Sequence, residues 1–320
     1  MEEKIDFVIT WVDSGDQKWL KDINNYSDEK IDACRYRDWE ILKYWFRAIE
    51  KHTPWVNKVY FITYGHIPDW LNIKNNKLKI VKHEDFIEKK YLPTFNSCVI
   101  ESNFGNIKEL SEKFVYFNDD MFINDDMKPE EFFINNHPCD KLKLRLLWDD
   151  NRCGKRIHLN CMKKIYENFK NLDLSKYKKI CIRDILKSIK ELPNKATWCF
   201  IPDHTPTSFL KTTYKEAWNK NKDYFENMCY HRFRTAEDVS QWFFQFWQMA
   251  LGECNERADI SKYYEIKSET IDDIIKNVEA KEYKLICLND SENTKDFEKN
   301  KEKLCEMFER MYPQKSNFEL

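Results

Sequence analysis

Residues 113–127, KFVYFNDDMFINDDM, join an apolar run to two groups of carboxylates. The run is rich in aromatic residues and ends at Phe117, which is typical of a buried strand. Asn118, Asp119 and Asp120 follow it directly, and in a parallel sheet the carboxyl ends of the strands border the ligand crevice. The stretch therefore predicts a strand that delivers a functional polar cluster to the edge of an α/β sheet.

The second group of acids in this stretch favours a structural interpretation. Asp125 and Asp126 precede Pro129, where an Asx turn or a helix N-cap uses carboxylate oxygens. The acids that directly follow the strand keep the functional interpretation, because carboxylates at a strand end can hold Mg²⁺ or Mn²⁺ against a diphosphate. Such help is needed, since the chain has only five glycines and neither a G-x-G-x-x-G motif nor a P-loop.

Elements that alternate along the chain lead up to this strand. The segment IDFVITWV, which begins at Ile5, predicts a first strand, KVYFITYG a second that ends at Gly65, and KLKIVKH a third. Apolar residues at helical spacing predict a helix over residues 37–52, between the first two strands. This order predicts an α/β fold with a mostly parallel sheet covered by helices on both faces.

The second half of the sequence is richer in helical patterns. Apolar spacing there predicts short strands near 142–148 and 284–288, and helices at roughly 156–170, 181–191, 207–219, 236–251 and 295–311. The uncharged stretch at 239–252 is too short to cross a bilayer, which takes about 20 apolar residues. Its helical spacing predicts a core helix instead.

Composition narrows the class of partner and the compartment. With 53 basic and 55 acidic residues spread along 320 positions, the chain has no basic patch, so we expect no nucleic-acid partner. Its eleven cysteines are scattered without C-x-x-C spacing, which predicts buried thiols in a reducing compartment. No basic n-region with an apolar h-region precedes Ile5, so we expect a cytoplasmic protein.

Three further segments carry candidate site residues. In LPTFNSCVIES, residues 92–102, Asn96 and Glu101 are either helix caps or site residues. His204 lies between two prolines in PDHTP, where the loop is stiff around a group that titrates near neutral pH. Arg232 and Arg234 stand just before a predicted helix start, a place that suits cations only when an anion binds there too.

Four blocks, in order along the whole chain, resemble the Stealth family. They are IDFVITWVDSGDQKW; the long block from RYRDWEILKYWFRAIEKHTPWVNKVYFITYGHIPDWL through LPTFNSCVIES to LSEKFVYFNDDMF; HTPTSFL with HRFRTAEDVSQWFF; and MYPQKSNFEL. This family includes bacterial capsule hexose-1-phosphate transferases and the catalytic part of animal N-acetylglucosamine-1-phosphotransferase. The match departs from the family in one loop, where Asp13-Ser14-Gly15 stands in place of an acidic or amide residue followed directly by glycine.

The resemblance implies a Rossmann-like fold similar to that of nucleotide-sugar transferases, in one catalytic domain over residues 1–320. Residues 1–150 would form the α/β nucleotide-sugar half, and the helix-rich half at 151–320 would complete the active site. Residue by residue, it implies catalytic roles for Glu101, Asp120, His204 and Arg234, a metal site at Asp119 and Asp120, and substrate contacts at Asp6, Trp11, Asp13, Arg37, Asn96, Ser97 and Arg232.

The implied activity is transfer of a sugar-1-phosphate from a UDP-sugar to a hydroxyl of an oligosaccharide or polysaccharide acceptor, with Mg²⁺ or Mn²⁺ and release of UMP. Either His204 or Glu101 would be the base. Two other classes stay open: an ordinary glycosyltransferase that releases UDP, and a non-catalytic glycan-binding relative. Family analogy also suggests docking on the inner membrane with capsule-export machinery.

Overall fold

The computed structural model describes residues 4–27, 37–149, 151–179, 196–290 and 294–320. The helices in these ranges are α1 Gln17–Tyr26, α2 Leu42–His52, α3 Ser97–Ser102, α4 Cys153–Asn168, α5 Lys211–Lys220, α6 Lys222–Met228, α7 Trp242–Leu251, α8 Ile271–Glu279 and α9 Phe297–Met311. The strands are β1 Ile5–Thr10, β2 Val59–Thr63, β3 Leu78–Lys82, β4 Lys113–Phe117, β5 Met121–Ile123, β6 Phe133–Ile134, β7 His137–Asp140, β8 Lys143–Leu147, β9 Lys178–Lys179, β10 Thr197–Phe200, β11 Thr207–Leu210, β12 Asn255–Glu256, β13 Ser261–Glu265 and β14 Leu285–Asn289.

The largest sheet has the strand order β11-β4-β1-β2-β3. Its four N-terminal strands run parallel, with β1 hydrogen-bonded between β4 and β2, and β11 adds an antiparallel edge beside β4. The predicted α/β fold with a mostly parallel sheet is confirmed. Because the four parallel strands share one direction, their carboxyl ends all lie at one edge, and that edge holds the candidate site.

Alternation along β1 divides the core into two layers. Phe7 and Ile9 face the layer that contains α2 and α9, whereas Val8 faces the layer that contains α4 and α7. Helices therefore cover both faces of the sheet, as the sequence predicts. Burial of one large apolar side chain in such a layer contributes roughly 1.5–3 kcal/mol to stability.

Strands from the two halves of the chain pair with each other around the turn that follows β4. On one side β11 pairs with β4, and on the other β14 pairs with β5 in a separate three-stranded sheet, β13-β14-β5. The chain thus leaves the large sheet at Phe117 and enters the smaller sheet at Met121. The three residues between these strands, 118–120, are held from both ends by the second half of the chain.

Four helix predictions are wrong in detail. Residues 207–210 of the predicted helix at 207–219 form β11, because Phe209 packs in register opposite Phe114 of β4, and the helix starts only at Lys211. Helix α7 begins at Trp242 rather than near 236, and α2 at Leu42 rather than 37. The predicted helix at 156–170 spans Cys153–Asn168. The helix predicted at 181–191 lies outside the described residues.

Two strand predictions are confirmed, by β8 near 142–148 and by β14 near 284–288. The core position predicted for the stretch at 239–252 is also confirmed, since α7 buries seven of its residues, Phe243 to Met249. In the described part of the chain, no helix combines the length and the apolar character that a membrane span requires.

Candidate active site

The acidic turn after β4 lies at the carboxyl edge of the large sheet. Met121 N donates to Asn118 O at 3.1 Å, which closes a tight turn, and Leu288 N of β14 donates to Asp120 O at 2.8 Å. The side chain of Asp119 is exposed to solvent, but many protein atoms lie around its carboxyl group and reduce its hydration. These surroundings, together with the charge of Asp120, raise the pKa of the Asp119 carboxyl to about 7.

His204 faces this turn from the loop before β11. Its Nε2 lies 3.6 Å from Asp120 Oδ2, with the two side chains 30% and 22% exposed, so the pair borders the solvent. The residue has a left-handed backbone, φ 46°. Burial alone would lower the pKa of the imidazole, but the Asp120 carboxylate outweighs burial and raises that pKa above its ordinary value.

Cys287 of β14 is a third side chain at Asp120, and sequence reasoning missed it. Its buried thiol Sγ donates to Asp120 Oδ2 at 3.2 Å. Pairing of Cys287 with Met121 across the β14–β5 ladder places it there. No short-range sequence signal could have found it, because the contact depends on a strand pairing across more than 160 positions.

Glu101 lies on the other side of the site, in α3, and is 5% exposed. Its Oε2 accepts from Gln241 N at 3.0 Å and its Oε1 from the Tyr116 hydroxyl at 3.3 Å. Burial raises the pKa of the Glu101 carboxyl, although Arg234 and His204 act against this shift. Glu101, His204 and Arg234 are therefore within electrostatic reach of one another.

Arg234 reaches the site from the loop before α7, where its Nη2 donates to Ser97 Oγ. The neighbouring Asn96 is fully buried: it accepts from Cys98 N at 3.0 Å as the N-cap of α3, and donates to Asp238 Oδ2 at 2.8 Å. Arg232 points elsewhere, with its guanidinium 4.4 Å from the ring centre of Tyr26.

The part of the carboxyl edge between the acidic turn, His204 and the end of β1 is called the cleft from here on. Its side opposite the acidic turn follows β1. Trp11 packs on His66, whose Nε2 accepts from Asp13 N at 2.9 Å. Asp38, which sequence reasoning missed, adds negative charge here. Burial is the larger cause that raises the pKa of its carboxyl, and Asp13 adds to the shift. Asp38 in turn helps to raise the pKa of Asp119, so this side of the cleft lies within electrostatic reach of the acidic turn.

Two of the sequence-derived residues make contacts with other parts of the protein. Arg37 forms a bidentate ion pair with Asp290, the residue directly after β14, with both N–O distances at 2.8 Å. Asp6 lies near the opposite, amino end of β1, where its carboxylate accepts from Asn57 Nδ2 at 2.6 Å and from Ser111 N at 2.7 Å. The structure does not bring Asp6 to the carboxyl edge, because four residues of strand intervene.

Asp125 and Asp126 also take structural contacts, as the sequence predicts, but not as caps. Asp125 pairs with Lys281 at 2.7 Å, and Asp126 with His52 Nδ1 at 2.7 Å. The 3-10 turn at Pro129 is instead preceded by Lys128.

The acidic turn suits a hard divalent cation. Within the described ranges, Asp120 Oδ1 is a buried oxygen without a hydrogen-bond partner. Burial first, and then the charge of Asp120, raises the pKa of the Asp119 carboxyl, and a bound cation would offset the second of these causes. Asp119 and Asp120 thus offer oxygen donors of the kind that Mg²⁺ and Mn²⁺ prefer. The donor set fits the cation expected from the sequence.

The fold and the cluster together define an α/β enzyme whose site occupies the carboxyl edge of a parallel sheet. The model of Stealth protein CR2, conserved region 2, matches residues 35–140. Over 99% of its length, and 98% of the relative's, the chain is 41% identical to capsular polysaccharide phosphotransferase WcwK of Streptococcus pneumoniae. The chain belongs to the Stealth family.

Further relatives and one solved structure are similar over comparable lengths. Exopolysaccharide phosphotransferase cps2G of Lactiplantibacillus plantarum is 34% identical, over 98% of this chain and 96% of the relative. Receptor polysaccharide phosphotransferase WefC of Streptococcus gordonii is 32% identical over 100% of both chains. Among solved structures, galactosyltransferase LgtC in complex with donor and acceptor sugar analogues aligns over 98% of both chains, with a TM-score of 0.41 and 11% sequence identity.

Proposed function

We propose that this protein transfers a sugar-1-phosphate from a UDP-sugar to a hydroxyl of an oligosaccharide or polysaccharide acceptor in the synthesis of a cell-surface polysaccharide. The observation that supports this most is the contact of His204 with Asp120 at 3.6 Å, with Arg234 and Glu101 within electrostatic reach. Full-length similarity to polysaccharide phosphotransferases supports the same reaction class.

In the proposed reaction, the acceptor oxygen attacks the β-phosphorus of the donor. The bond from that phosphorus to the oxygen that bridges the two phosphorus atoms breaks, and UMP leaves with this oxygen. The acceptor hydroxyl proton goes to His204 Nε2, and a phosphodiester forms. Such phosphoryl transfer depends on positioning and on neutralising charge rather than on covalent chemistry by the protein.

Each polar residue has a role that its surroundings support. His204 is the base, because it is more open to the cleft than Glu101, whose two carboxylate oxygens already accept hydrogen bonds from Gln241 N and Tyr116. Glu101 favours the imidazolium form electrostatically and so acts as a positioning residue. The Arg234 guanidinium offsets charge on the transferred phosphoryl group.

Asp119 and Asp120 would hold Mg²⁺ or Mn²⁺, which supplies charge neutralisation on the diphosphate. The Asp13 loop and Trp11 border the same cleft and are proposed substrate contacts. We also propose that the reaction takes place in the cytoplasm, at the membrane where the capsule is exported. The nine cysteines of the described ranges are all free thiols, which a reducing compartment preserves.

The nucleotide product separates this proposal from an ordinary glycosyltransferase, which attacks the anomeric carbon and releases UDP. Purified protein, UDP-sugars, an acceptor oligosaccharide and Mg²⁺ or Mn²⁺ should yield UMP in an amount that depends on acceptor, and the acceptor should gain the mass of a hexose phosphate. Omission of acceptor controls for simple hydrolysis of the donor. UDP as the sole nucleotide, with an acceptor that gains only a hexose, would contradict the proposal.

A further inference from the structure

Three potential metal-ligand atoms of different elements form a cluster beside the cleft. Asp120 Oδ2 lies 3.6 Å from His204 Nε2 and 3.2 Å from Cys287 Sγ. These three atoms all lie within 4.8 Å of one another. One oxygen, one imidazole nitrogen and one sulfur thus lie close enough together to bind one metal ion.

The fold fixes each donor from a separate segment. The ladder between β14 and β5 sets Cys287 beside Met121, and Leu288 N holds Asp120 O at 2.8 Å. His204 enters from a loop whose backbone is left-handed at this residue. Three donors held by independent segments form a site that exists before any ion binds, which lowers the cost of ordering it.

The spacing of the donors fits a small tetrahedral cation. Bonds of about 2.0–2.3 Å to nitrogen, oxygen and sulfur place the ligand atoms of tetrahedral Zn²⁺ roughly 3.3–3.6 Å apart. The distances from Asp120 Oδ2 to Cys287 Sγ and to His204 Nε2, 3.2 and 3.6 Å, lie close to this range. The other oxygen of the same carboxylate, Asp120 Oδ1, is buried and has no hydrogen-bond partner within the described ranges, so the carboxylate has unused capacity at this point.

The chemistry of the three donors selects against the cation proposed for the reaction. Mg²⁺ takes oxygen ligands and Mn²⁺ favours them, whereas a set of one nitrogen, one sulfur and one oxygen suits Zn²⁺. We propose that Asp120, His204 and the thiolate of Cys287, whose thiol proton is released to solvent on binding, form a binding site for Zn²⁺ with its fourth position open to the cleft. The two metals share Asp120, so they compete for it.

Occupation of this site has a consequence for the proposed reaction, and this part of the inference rests on the proposed function. A zinc ion bound to His204 Nε2 takes up the lone pair that would accept the acceptor proton. Zn²⁺ therefore inhibits transfer while Mg²⁺ is present. The cysteine is the donor that distinguishes this site from an ordinary carboxylate site for magnesium.

The binding step is tested without any donor sugar. Full-length protein is stripped of metal with a chelator and titrated with Co²⁺, whose thiolate complexes show a charge-transfer band in the near ultraviolet, and with Zn²⁺ in competition with a chromophoric chelator. We expect one tight equivalent in the native protein with a sulfur-to-cobalt band. Cys287→Ser should abolish the band and weaken Zn²⁺ binding by at least about 10-fold, the lower end of the loss seen when even an outer partner of a metal ligand is removed.

The matched control is Cys199→Ser, which alters a cysteine that is also fully buried in a strand, β10. It should keep both the band and the affinity. Thermal melting verifies that each variant folds, and His204→Ala, a change in a half-exposed loop, supplies a second test if Cys287→Ser does not fold. A native complex without the thiolate band, or equal zinc affinity in the native protein and both site variants, overturns the proposal.

Inhibition is measured separately, with each variant compared with its own rate in the absence of zinc. Native protein should lose activity as zinc is added, at zinc concentrations that rise with the Mg²⁺ concentration because the two ions compete for Asp120. At the same Mg²⁺ concentration, Cys287→Ser should require at least about 10-fold more zinc. If the protein shows no transferase activity, the binding result still decides whether the zinc site exists.

Discussion

At the scale of single residues, His204 combines a left-handed backbone with an imidazole pKa above its ordinary value. A residue other than glycine with φ 46° is uncommon, and such conformations cost on the order of 1–3 kcal/mol each and gather at functional sites. The flanking Pro202 and Pro206 restrict the loop that holds it. The side chain is thereby aimed at Asp120 rather than at solvent.

We expect His204→Ala and Arg234→Ala each to lower kcat with little change in KM for the donor, because both groups act mainly in the transition state. Loss of one positioned base typically costs about 10²–10⁴-fold. Steady-state kinetics with the UDP-sugar varied would measure this, with Arg310→Ala as a control that removes an exposed arginine paired with Glu279. Early melting of His204→Ala, or near-normal turnover, would make Glu101 the leading base.

The same pair predicts a pH profile. Because the Asp120 carboxylate raises the pKa of His204 above its ordinary value of 6.5, the neutral base form is lost as pH falls through that raised pKa. In the metal-free protein, the His204 imidazole should therefore titrate above pH 6.5, which NMR of the histidine ring protons measures. Asp120→Asn removes the charge, so the pKa of His204 should be lower in that variant, and an unchanged pKa would show that Asp120 does not act on the imidazole.

Sequence reasoning reached some of these residues and not others for a physical reason. Asp119 and Asp120 could be predicted because they directly follow an apolar strand, a local pattern. Cys287 and Asp38 lie near the same cleft only because of long-range packing. No local sequence pattern around either residue predicts that position. The direction of β1 places Asp6 at the other end of this strand, and its substrate contact stays a prediction.

At the scale of elements, α3 depends on its cap. A helix of six residues is too short to be stable alone, yet it carries Ser97 and Glu101. Buried Asn96 caps it and joins it to Asp238, which also accepts from Thr235 N at 2.8 Å and His231 Nδ1 at 2.6 Å. From the sequence, Asn96 could be either a helix cap or a site residue. In the structure its side chain caps α3 by accepting from Cys98 N.

We expect Asn96→Ala to destabilise the protein by about 1–3 kcal/mol, because it removes a helix cap and leaves a buried acceptor on Asp238 with one partner fewer. It should also lower kcat, since α3 positions Glu101 in the proposed site. Urea unfolding and kinetics measure the two effects. Asp173→Ala, which removes an exposed cap from the 3-10 turn at Leu174–Lys176, is the control and should cost less. Equal losses from the two changes would show that the tie to Asp238 contributes nothing.

Residues 207–219 show where element prediction fails. Their apolar spacing fits a helix, but β4 offers an open edge, and pairing with that edge satisfies the backbone of residues 207–210 while Phe209 joins the core. Pairing of β11 with β4 thus overrides the helical spacing of the residues that follow the His204 loop. The strand in turn holds one end of that loop against the sheet.

At the scale of the whole molecule, the C-terminal segment closes onto α2. Arg47 and Glu319 form a bidentate ion pair with N–O distances of 2.9 and 2.8 Å. The two side chains are 7% and 4% exposed. Arg47 Nη1 also donates to Tyr312 O at 2.7 Å. The final sequence block that resembles the Stealth family thus has a structural use. From the sequence alone, this block could not be distinguished from a site segment, because only the fold shows that it packs on α2.

We expect Glu319→Gln to destabilise the protein at pH 7 by about 3–5 kcal/mol, because it leaves the buried Arg47 charge without its main partner. Burial alone would raise the pKa of Glu319, but hydrogen bonds from Arg47 outweigh burial and lower that pKa below its ordinary value of 4.5. The stabilisation is therefore fully present above pH 4.5 and is lost as pH falls through the lower pKa of the folded state.

Urea unfolding of the native protein and Glu319→Gln across this pH range tests the prediction, and the difference between them should shrink only in the acid. Glu279→Gln, which breaks the exposed pair with Arg310 at 2.7 Å, is the matched control and should change stability by about 0–1 kcal/mol at any pH. If both variants lose the same small amount, the pair between α2 and the C-terminus is no stronger than a surface contact. The C-terminal segment would then be held mainly by its apolar contacts, such as the contact of buried Phe318 with Phe46, whose ring centres lie 5.1 Å apart.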